Sequence, residues 1–252
     1  MRLRGKSVLI TGSSRGIGLA IGKAMAAEGA QVVLTSEAPL EMCEEVQELL
    51  TKYPDSTHYS QSDLTQDGAA DELVNNLGTF REPPLLQLTR RDFDFLFHIN
   101  VWSAIAMTQA VVKRATAAGQ GGRILFTTSL NGSRSEPAHT LYDASKGAIN
   151  ALTRQLAIEL APLGFTTAAV APGLVETPLT DFGMRSDPVA RAAIIEQIPI
   201  RRIATVEDIA GWFVFLASDA ANYATGIVIP VDGGLDAQQM ALRPITANER
   251  RP

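Results

Sequence analysis

Short apolar runs alternate with longer segments of helical periodicity along this chain. The runs predict strands, and glycines or prolines bound several of these segments. The predicted strands are Ser7–Ile10, Gln31–Leu34, Thr57–Gln61, Arg123–Thr127, Thr166–Val170 and Gly226–Pro230. The predicted helices are Ile17–Glu28, Leu40–Lys52, Arg91–Ala118, Tyr142–Leu163 and Val206–Ser218. Apolar strands separated by helices indicate a parallel sheet covered on both faces, so we expect one doubly wound α/β domain over residues 1–252.

Composition narrows the class of protein. The 252 residues are 46% hydrophobic and 19% charged, with a formal net charge of −5. This excludes a largely disordered chain and gives no general electrostatic reason to bind nucleic acid or an anionic membrane. The first apolar run is too short for a signal peptide, and we expect no membrane span. The single cysteine, Cys43, suits a reducing compartment. We therefore expect a soluble cytoplasmic protein.

A glycine-rich turn, Thr11-Gly-Ser-Ser-Arg-Gly-Ile-Gly18, joins the first predicted strand to the first predicted helix. Glycines allow the backbone angles of such a turn and the close approach of a ligand. The unpaired N–H groups and positive dipole end of the following helix suit a pyrophosphate. The turn therefore predicts a dinucleotide-binding segment made of Gly12, Ser13, Ser14, Arg15, Gly16, Ile17 and Gly18.

The end of the second predicted strand is where such folds distinguish NAD from NADP. Ser36 stands where an NAD-selecting Asp would be expected, and Arg15 could face a 2′-phosphate. Glu37 would favour NAD if its carboxylate pointed inward. We expect a preference for NADP(H), with NAD(H) as the alternative.

Tyr142 and Lys146 are four residues apart in a predicted helix, so their side chains lie on one face. A phenol has a pKa of about 10 and is a poor base at neutral pH. Lowering that pKa by roughly three units takes about 4 kcal/mol, which one ammonium about 4 Å away supplies at an effective dielectric constant of about 20. The pair therefore predicts a general acid/base that works near pH 7.

Two further polar residues accompany this pair. Ser129 follows a predicted strand and lies 13 residues before Tyr142 (142 − 129). Because parallel sheets bind ligands at the carboxyl ends of their strands, its hydroxyl could hold a substrate carbonyl. Asn100 lies within an otherwise apolar helical stretch, so its amide is either a structural clamp or part of a polar relay.

Together these residues resemble the short-chain dehydrogenase/reductase family over nearly the whole chain. The family implies a Rossmann-type fold and hydride transfer between NAD(P)H and a carbonyl or alcohol. The chain looks most like the 3-oxoacyl-acyl-carrier-protein reductase type, and family members are usually homotetramers or homodimers. The matching motifs are Thr11-Gly-x-x-x-Gly-x-Gly18, Asp63-Leu64, Asn75-Asn76-Leu77-Gly78, Asn100, Ser129, Tyr142-x-x-x-Lys146, Pro172-Gly173 and Asp232-Gly-Gly234.

The resemblance implies a role for each matching catalytic residue. Tyr142 would be the acid/base, and Lys146 would lower its pKa and hold the ribose. Ser129 would position the carbonyl, and Asn100 would support a water-linked proton path.

The resemblance also implies further cofactor contacts. Asp63 and Leu64 would contact the adenine. The remaining predicted contacts are Asn75 and Asn76 after the fourth family strand, and Pro172, Gly173, Val175 and Thr177 in the loop beside the nicotinamide.

One departure from the family pattern concerns the connection between Asp63 and Asn75, which spans only 12 positions (75 − 63). A parallel crossover needs a dozen or more residues besides its strands. Either this connection is truncated, or a strand is lost, or Asp71–Asn76 belongs to a helix. Leu77 also replaces the usual alanine. The two departures leave open whether Asn75 and Asn76 contact the cofactor and what surface lies under the adenine.

The sequence also bears on other functions and on the substrate. The short connection allows a catalytically weak dinucleotide sensor or structural subunit. A serine hydrolase using Ser129, His139 and Asp143 is disfavoured, because no G-x-S-x-G elbow is present. Three scattered histidines predict no metal site. Residues 130–141 should help to form the substrate pocket, residues 176–203 should form the substrate loop, and residues 242–252 should form a tail. The loop's apolar residues suggest a lid and a partly hydrophobic small-molecule substrate: Leu179, Phe182, Met184, Ile194, Ile195 and Ile198.

Overall fold

The computed structural model describes residues 1–61, 72–80, 82–178, 180 and 187–238. Seven parallel strands in this part of the chain form one sheet, in the order β3-β2-β1-β4-β5-β6-β7. Their central residues are apolar because both faces of the sheet are covered. The strands are β1 (Ser7–Thr11), β2 (Gln31–Ser36), β3 (Thr57–Gln61), β4 (Glu72–Asn75), β5 (Gly122–Thr127), β6 (Phe165–Pro172) and β7 (Ile227–Val231).

Helices cover the two faces with separate apolar cores. On one face Ile21, Met25 and Phe213 are fully buried, and on the other Met107 and Ile149 are buried. The first core belongs to α1, α2 and α7, and the second to α4 and α5. The helices are α1 (Gly16–Ala27), α2 (Glu44–Lys52), α3 (Arg90–Phe97), α4 (Ser103–Ala117), α5 (Thr140–Leu160), α6 (Pro188–Gln197) and α7 (Val206–Ala217). The doubly wound α/β prediction is confirmed.

The fourth strand resolves the question raised by the short connection. Glu72–Asn75 forms β4, which pairs with β1 and with β5. No strand is therefore lost, and the helical alternative for this stretch is wrong. Only ten residues, 62–71, separate the end of β3 from the start of β4, so the connection is short as expected.

The long helical segment predicted before β5 contains a break in its periodicity. A π-helical turn, His98–Trp102, separates α3 from α4. The run Arg90–Ala117 is long and apolar enough to cross a membrane by length and composition alone. Its apolar residues Met107, Val111 and Ala115 instead pack into the second core.

Candidate active site

The site lies where the direction of winding changes, between β1 and β4. The chain proceeds from β1 toward β3 on one side and from β4 toward β7 on the other. Doubly wound sheets bind ligands at this switch point, beyond the carboxyl ends of the strands.

The glycine turn after β1 depends on two of its glycines for different reasons. Gly16 has φ +60°, a left-handed conformation that a side chain rarely adopts. At Gly18 the constraint is space, because an added Cβ would lie 2.5 Å from the carbonyl oxygen of Gly12 and 2.6 Å from Nδ2 of Asn76. The backbone of the turn therefore packs closely against the start of α1, where a phosphate would bind.

Ser13 and Arg15 leave this turn in opposite directions. Ser13 is fully buried, donates to the carbonyl of Ile10 at 2.8 Å and accepts from the N–H of Thr35 at 2.8 Å. It thus fixes the turn to β2. Arg15 precedes α1 and is exposed, and its guanidinium makes no ion pair with any described residue. Ser14 and Ile17 are partly buried beside it.

At the end of β2, Ser36 is held in a hydrogen-bond network. Its Oγ lies 2.8 Å from the Tyr59 hydroxyl and accepts from the N–H of Ala38 at 3.1 Å. Tyr59 in turn donates to the carbonyl of Ala38 at 2.6 Å. Burial raises the pKa of Tyr59, so its hydroxyl stays protonated in this network.

The side chains of Asn75, at the end of β4, and Asn76, just after it, point in different directions. Asn75 is buried and donates to Oγ1 of Thr108 in α4 at 3.3 Å, away from the glycine turn. Asn76 donates to the carbonyl of Gly12 at 3.1 Å and accepts from Oγ1 of Thr127 at 3.0 Å. Of this pair, Asn76 is the residue next to the predicted cofactor turn.

The Asn100 amide makes hydrogen bonds to two segments of the chain. In the π-helical turn it is buried, and its Oδ1 accepts from the N–H of Thr79 at 2.8 Å. Its Nδ2 donates to the carbonyl of Thr79 at 2.8 Å and to Oγ of Ser145 at 3.0 Å. Its side chain thereby holds the segment after β4 against α5.

Ser129, Tyr142 and Lys146 come together at the carboxyl end of β5. The Ser129 hydroxyl lies beside that of Tyr142 and lowers the pKa of the phenol. Lys146, one helical turn further along α5, is buried and donates from Nζ to the carbonyl of Thr127 at 3.2 Å. Its Nζ lies 5.6 Å from the centre of the Tyr142 ring.

The pKa values of this pair differ from the sequence prediction. Burial raises the pKa of Tyr142, with Glu136 and Asp143 adding to the rise, although Ser129 opposes it. Burial also lowers the pKa of Lys146 to about 8. The sequence predicts that Lys146 lowers the pKa of Tyr142; in this structure burial is the largest influence on the phenol and acts in the opposite direction.

The chain was also compared with known proteins. Residues 12–236 match the family model described as enoyl-(acyl carrier protein) reductase. L-xylulose reductase from Bos taurus is 34% identical over 93% of this chain and 98% of the relative. The 3-oxoacyl-acyl-carrier-protein reductase of Thermotoga maritima is also 34% identical, over 93% of this chain and 99% of the relative.

A solved structure gives the same result. The gluconate 5-dehydrogenase of Burkholderia cenocepacia, in complex with NADP and tartrate, is 29% identical and has a TM-score of 0.85 over 94% of this chain and 97% of its own. The chain belongs to the short-chain dehydrogenase/reductase family. It is an oxidoreductase, and its resemblance to the family is confirmed.

In this short-chain dehydrogenase/reductase, the loop after β6 faces the glycine turn. A Cβ placed on Gly16 would lie 3.8 Å from Cβ of Thr177, so the two segments are neighbours. Gly173 donates to the carbonyl of Val231 at 3.0 Å, and Val175 is buried. Pro172, which ends β6, pairs with Val231.

Several predictions fall on the substrate side or outside the described residues. Asp63, Leu64, Leu179, Phe182, Met184 and residues 242–252 lie outside the described part. The predicted substrate loop contains α6, where Ile194 and Ile195 are partly buried, while Ile198 just beyond it is buried.

The serine hydrolase arrangement is not formed by its three residues. Asp143 accepts from Nδ2 of Asn131 at 2.7 Å, while His139 lies 3.3 Å from Glu136. Ser129 donates to Oδ1 of Asn131 at 3.2 Å. In this short-chain dehydrogenase/reductase, Asn131 therefore connects the candidate catalytic serine to Asp143.

Sequence reasoning missed Glu82, and it placed Asn131 only within the predicted pocket loop 130–141. The carboxylate of Glu82 accepts from the N–H groups of Leu141 and Tyr142, at 2.7 and 3.2 Å. Nothing in the local sequence signals a contact across 59 or 60 positions. Asn131, in contrast, lies two residues after Ser129 in a turn, a position where a polar side chain is a weak signal.

Proposed function

We propose that this protein transfers a hydride between NADP(H) and a carbonyl or secondary alcohol, with Tyr142 as the general acid/base. One arrangement carries the proposal. The Ser129 hydroxyl lies beside the Tyr142 hydroxyl, and the buried amine of Lys146 follows one helical turn along α5, next to the switch point of the sheet.

The residues around the glycine turn fit NADP(H), which when bound supplies or accepts the hydride. Gly18 has no room for a Cβ, and the start of α1 offers unpaired N–H groups for a pyrophosphate. The exposed guanidinium of Arg15 suits a 2′-phosphate, and Lys146 suits a ribose hydroxyl. NADP in the structure of the Burkholderia cenocepacia relative supports this preference over NAD(H).

The protonation states at neutral pH favour reduction of a carbonyl. Because burial raises the pKa of Tyr142, its phenol is protonated and can donate. As the carbonyl carbon accepts a hydride, the Tyr142 hydroxyl gives its proton to the carbonyl oxygen, and an alcohol forms. Lys146, with a pKa of about 8, is mostly charged at pH 7 and stabilises the phenolate that remains. Ser129 provides a second hydrogen bond to the same oxygen.

A polyhydroxylated ketone is the substrate class that we propose to test first. Relatives named L-xylulose reductase, sorbitol dehydrogenase and galactitol 2-dehydrogenase support it. Asn131 and His139, which lie near Ser129 and Tyr142, add polar groups that can bind hydroxyls. The predicted apolar lid makes a β-ketoester the second class.

The test follows the loss of NADPH absorbance with L-xylulose, keto-gluconates and β-ketoesters in parallel. Turnover that Tyr142→Phe abolishes would support the proposal. Tight NADPH binding without turnover on any of these carbonyls would favour the sensor or structural-subunit alternative instead.

We further infer a homotetramer or homodimer that works in the cytoplasm without nucleic-acid or membrane partners. Trp102 and Ile158 are 53% and 74% exposed, and large exposed apolar groups are common at subunit interfaces. Light scattering of the wild type and of Ile158→Glu tests the oligomer, since a charge at the interface should dissociate it.

A further inference from the structure

The catalytic helix α5 begins without a cap from its own sequence. His139 occupies the N-cap position, and its side chain makes no capping hydrogen bond. The first N–H groups of a helix need acceptors, which Ser, Thr, Asp or Asn usually supply from this position. The acceptors for the first turn of α5 must therefore come from elsewhere in the fold.

Glu82 supplies them. Its Oε2 accepts from the N–H of Leu141 at 2.7 Å, and its Oε1 accepts from the N–H of Tyr142 at 3.2 Å. Both carboxylate oxygens are thus used, and a negative charge lies at the positive end of the helix dipole. One of the two contacts is made by the backbone of Tyr142 itself.

The segment that carries Glu82 is anchored at its other end. Asn100 holds both the N–H and the carbonyl of Thr79 at 2.8 Å. Asn100 also donates to Oγ of Ser145, and that hydroxyl donates to the carbonyl of Tyr142 at 2.7 Å. These contacts form a closed ring. From Asn100 it runs through Thr79 and Glu82 to the backbone N–H of Tyr142, and from the carbonyl of Tyr142 it returns through Ser145 to Asn100.

The side chain of Tyr142 is confined by the same segment. The ring of Phe80, between Thr79 and Glu82, meets the Tyr142 ring edge-on with centres 6.1 Å apart. The backbone and the ring of Tyr142 are therefore both fixed relative to the strand end that carries Ser129.

We propose that Glu82 is a positioning residue for Tyr142, acting through the first turn of α5 and not through contact with substrate. The inference rests on the proposed function, in which the Tyr142 hydroxyl transfers the proton. A small displacement of that hydroxyl lowers the rate of proton transfer, while the glycine turn that would hold the cofactor is unaffected.

Glu82→Ala removes both acceptors, and Glu82→Gln keeps one oxygen. Thr89→Ala is the matched control, since Thr89 caps the exposed start of α3 with a bond from the N–H of Asp92. For each variant we would measure kcat, KM, the NADPH dissociation constant by fluorescence, and the melting temperature.

We expect Glu82→Ala to lower kcat by about tenfold to a hundredfold, with the NADPH dissociation constant unchanged. The kcat of Glu82→Gln should lie between those of Glu82→Ala and the wild type. Thr89→Ala should have a lower melting temperature than the wild type but the same kcat. If Glu82→Ala kept wild-type kcat, or if Thr89→Ala lowered kcat to the same extent, the positioning role would be excluded. An inactive wild type would instead count against the proposed function.

Discussion

The side-chain amide of Asn76 donates to the carbonyl oxygen of Gly12 at 3.1 Å, and so ties the end of β4 to the glycine turn. The other end of this amide accepts from Oγ1 of Thr127, whose own carbonyl accepts from Nζ of Lys146 at 3.2 Å. The predicted phosphate turn and the candidate catalytic lysine are therefore connected through two residues. A change in the packing of the turn should therefore affect both cofactor binding and the catalytic lysine.

Gly18→Ala tests this connection. The added Cβ would lie 2.5 Å from the Gly12 carbonyl oxygen and 2.6 Å from Nδ2 of Asn76, so the turn must shift. We expect a loss of about 1–3 kcal/mol in the free energy of unfolding, with weaker NADPH binding. Denaturant titration and fluorescence titration measure the two effects.

Gly211→Ala is the control for the Gly18 variant. Gly211 is exposed in α7, and a Cβ there would have no atom within 4 Å. Alanine should stabilise the helix by about 0.5–1 kcal/mol and leave NADPH binding unchanged. Equal stability and binding in the two variants would show that Gly18 is not constrained by Gly12 and Asn76.

Tyr142→Phe removes the proposed proton donor and keeps the ring. We expect turnover to fall by about 10²–10⁴-fold, the usual contribution of a positioned acid/base. The ring still packs edge-on to Phe80 and His139, so NADPH binding should persist. Steady-state kinetics and fluorescence titration check the two parts, and retained turnover would refute the assignment.

How far the sequence predicts this site depends on whether an interaction is local. The sequence predicts the glycine turn and the pair Tyr142 and Lys146, because spacing within one turn or one helix determines their geometry. The sequence does not single out the strand β4, because a short apolar run beside a shortened connection fits several elements equally well.

The features that sequence reasoning missed are long-range. The cap on α5 comes from Glu82, and no property of His139 or its neighbours indicates it. The π-helical turn at Asn100 lies within a segment whose apolar periodicity is helical throughout, so the pattern predicts one continuous helix there. The pKa values of Tyr142 and Lys146 depend on burial, which their four-residue spacing does not reveal.

The pH dependence of carbonyl reduction should follow the ionisation of Lys146. Burial lowers its pKa to about 8, so its positive charge is present at neutral pH and is lost above that value. We expect kcat/KM for reduction to be level near pH 7 and to fall as the pH passes about 8. A profile that stays level through this region would show that the charge of Lys146 does not assist the step.

Lys146→Met should make the protein more stable and inactive. The pKa of this lysine falls from 10.5 to about 8 on burial, so the folded state disfavours its charged form by about 3 kcal/mol. Methionine removes that cost. It also leaves the Thr127 carbonyl without its hydrogen bond from Nζ, and this loss cancels about 1 kcal/mol of the gain.

The pH dependence of unfolding identifies the cause of this stability change. Between pH 8 and 10.5 the unfolded wild type binds more protons at Lys146 than the folded one, so the contribution of this residue to stability rises with pH. The advantage of Lys146→Met should therefore be largest at pH 7 and shrink above pH 8. A constant advantage would point to packing and not to charge.

Arg15→Ala should weaken NADPH binding more than NADH binding. Arg15 is exposed at the start of α1, and its guanidinium has no ion-pair partner in the described residues, so it is available to a 2′-phosphate. A charge-assisted bond contributes about 1.5–3 kcal/mol, which predicts a rise of about tenfold or more in the NADPH dissociation constant. Arg114→Ala is the control, because α4 ends just before β5 begins, at the amino ends of the strands and away from the glycine turn. If Arg15→Ala weakened both dinucleotides equally, Arg15 would bind a group that they share, and the choice between them would rest on Ser36 and its neighbours.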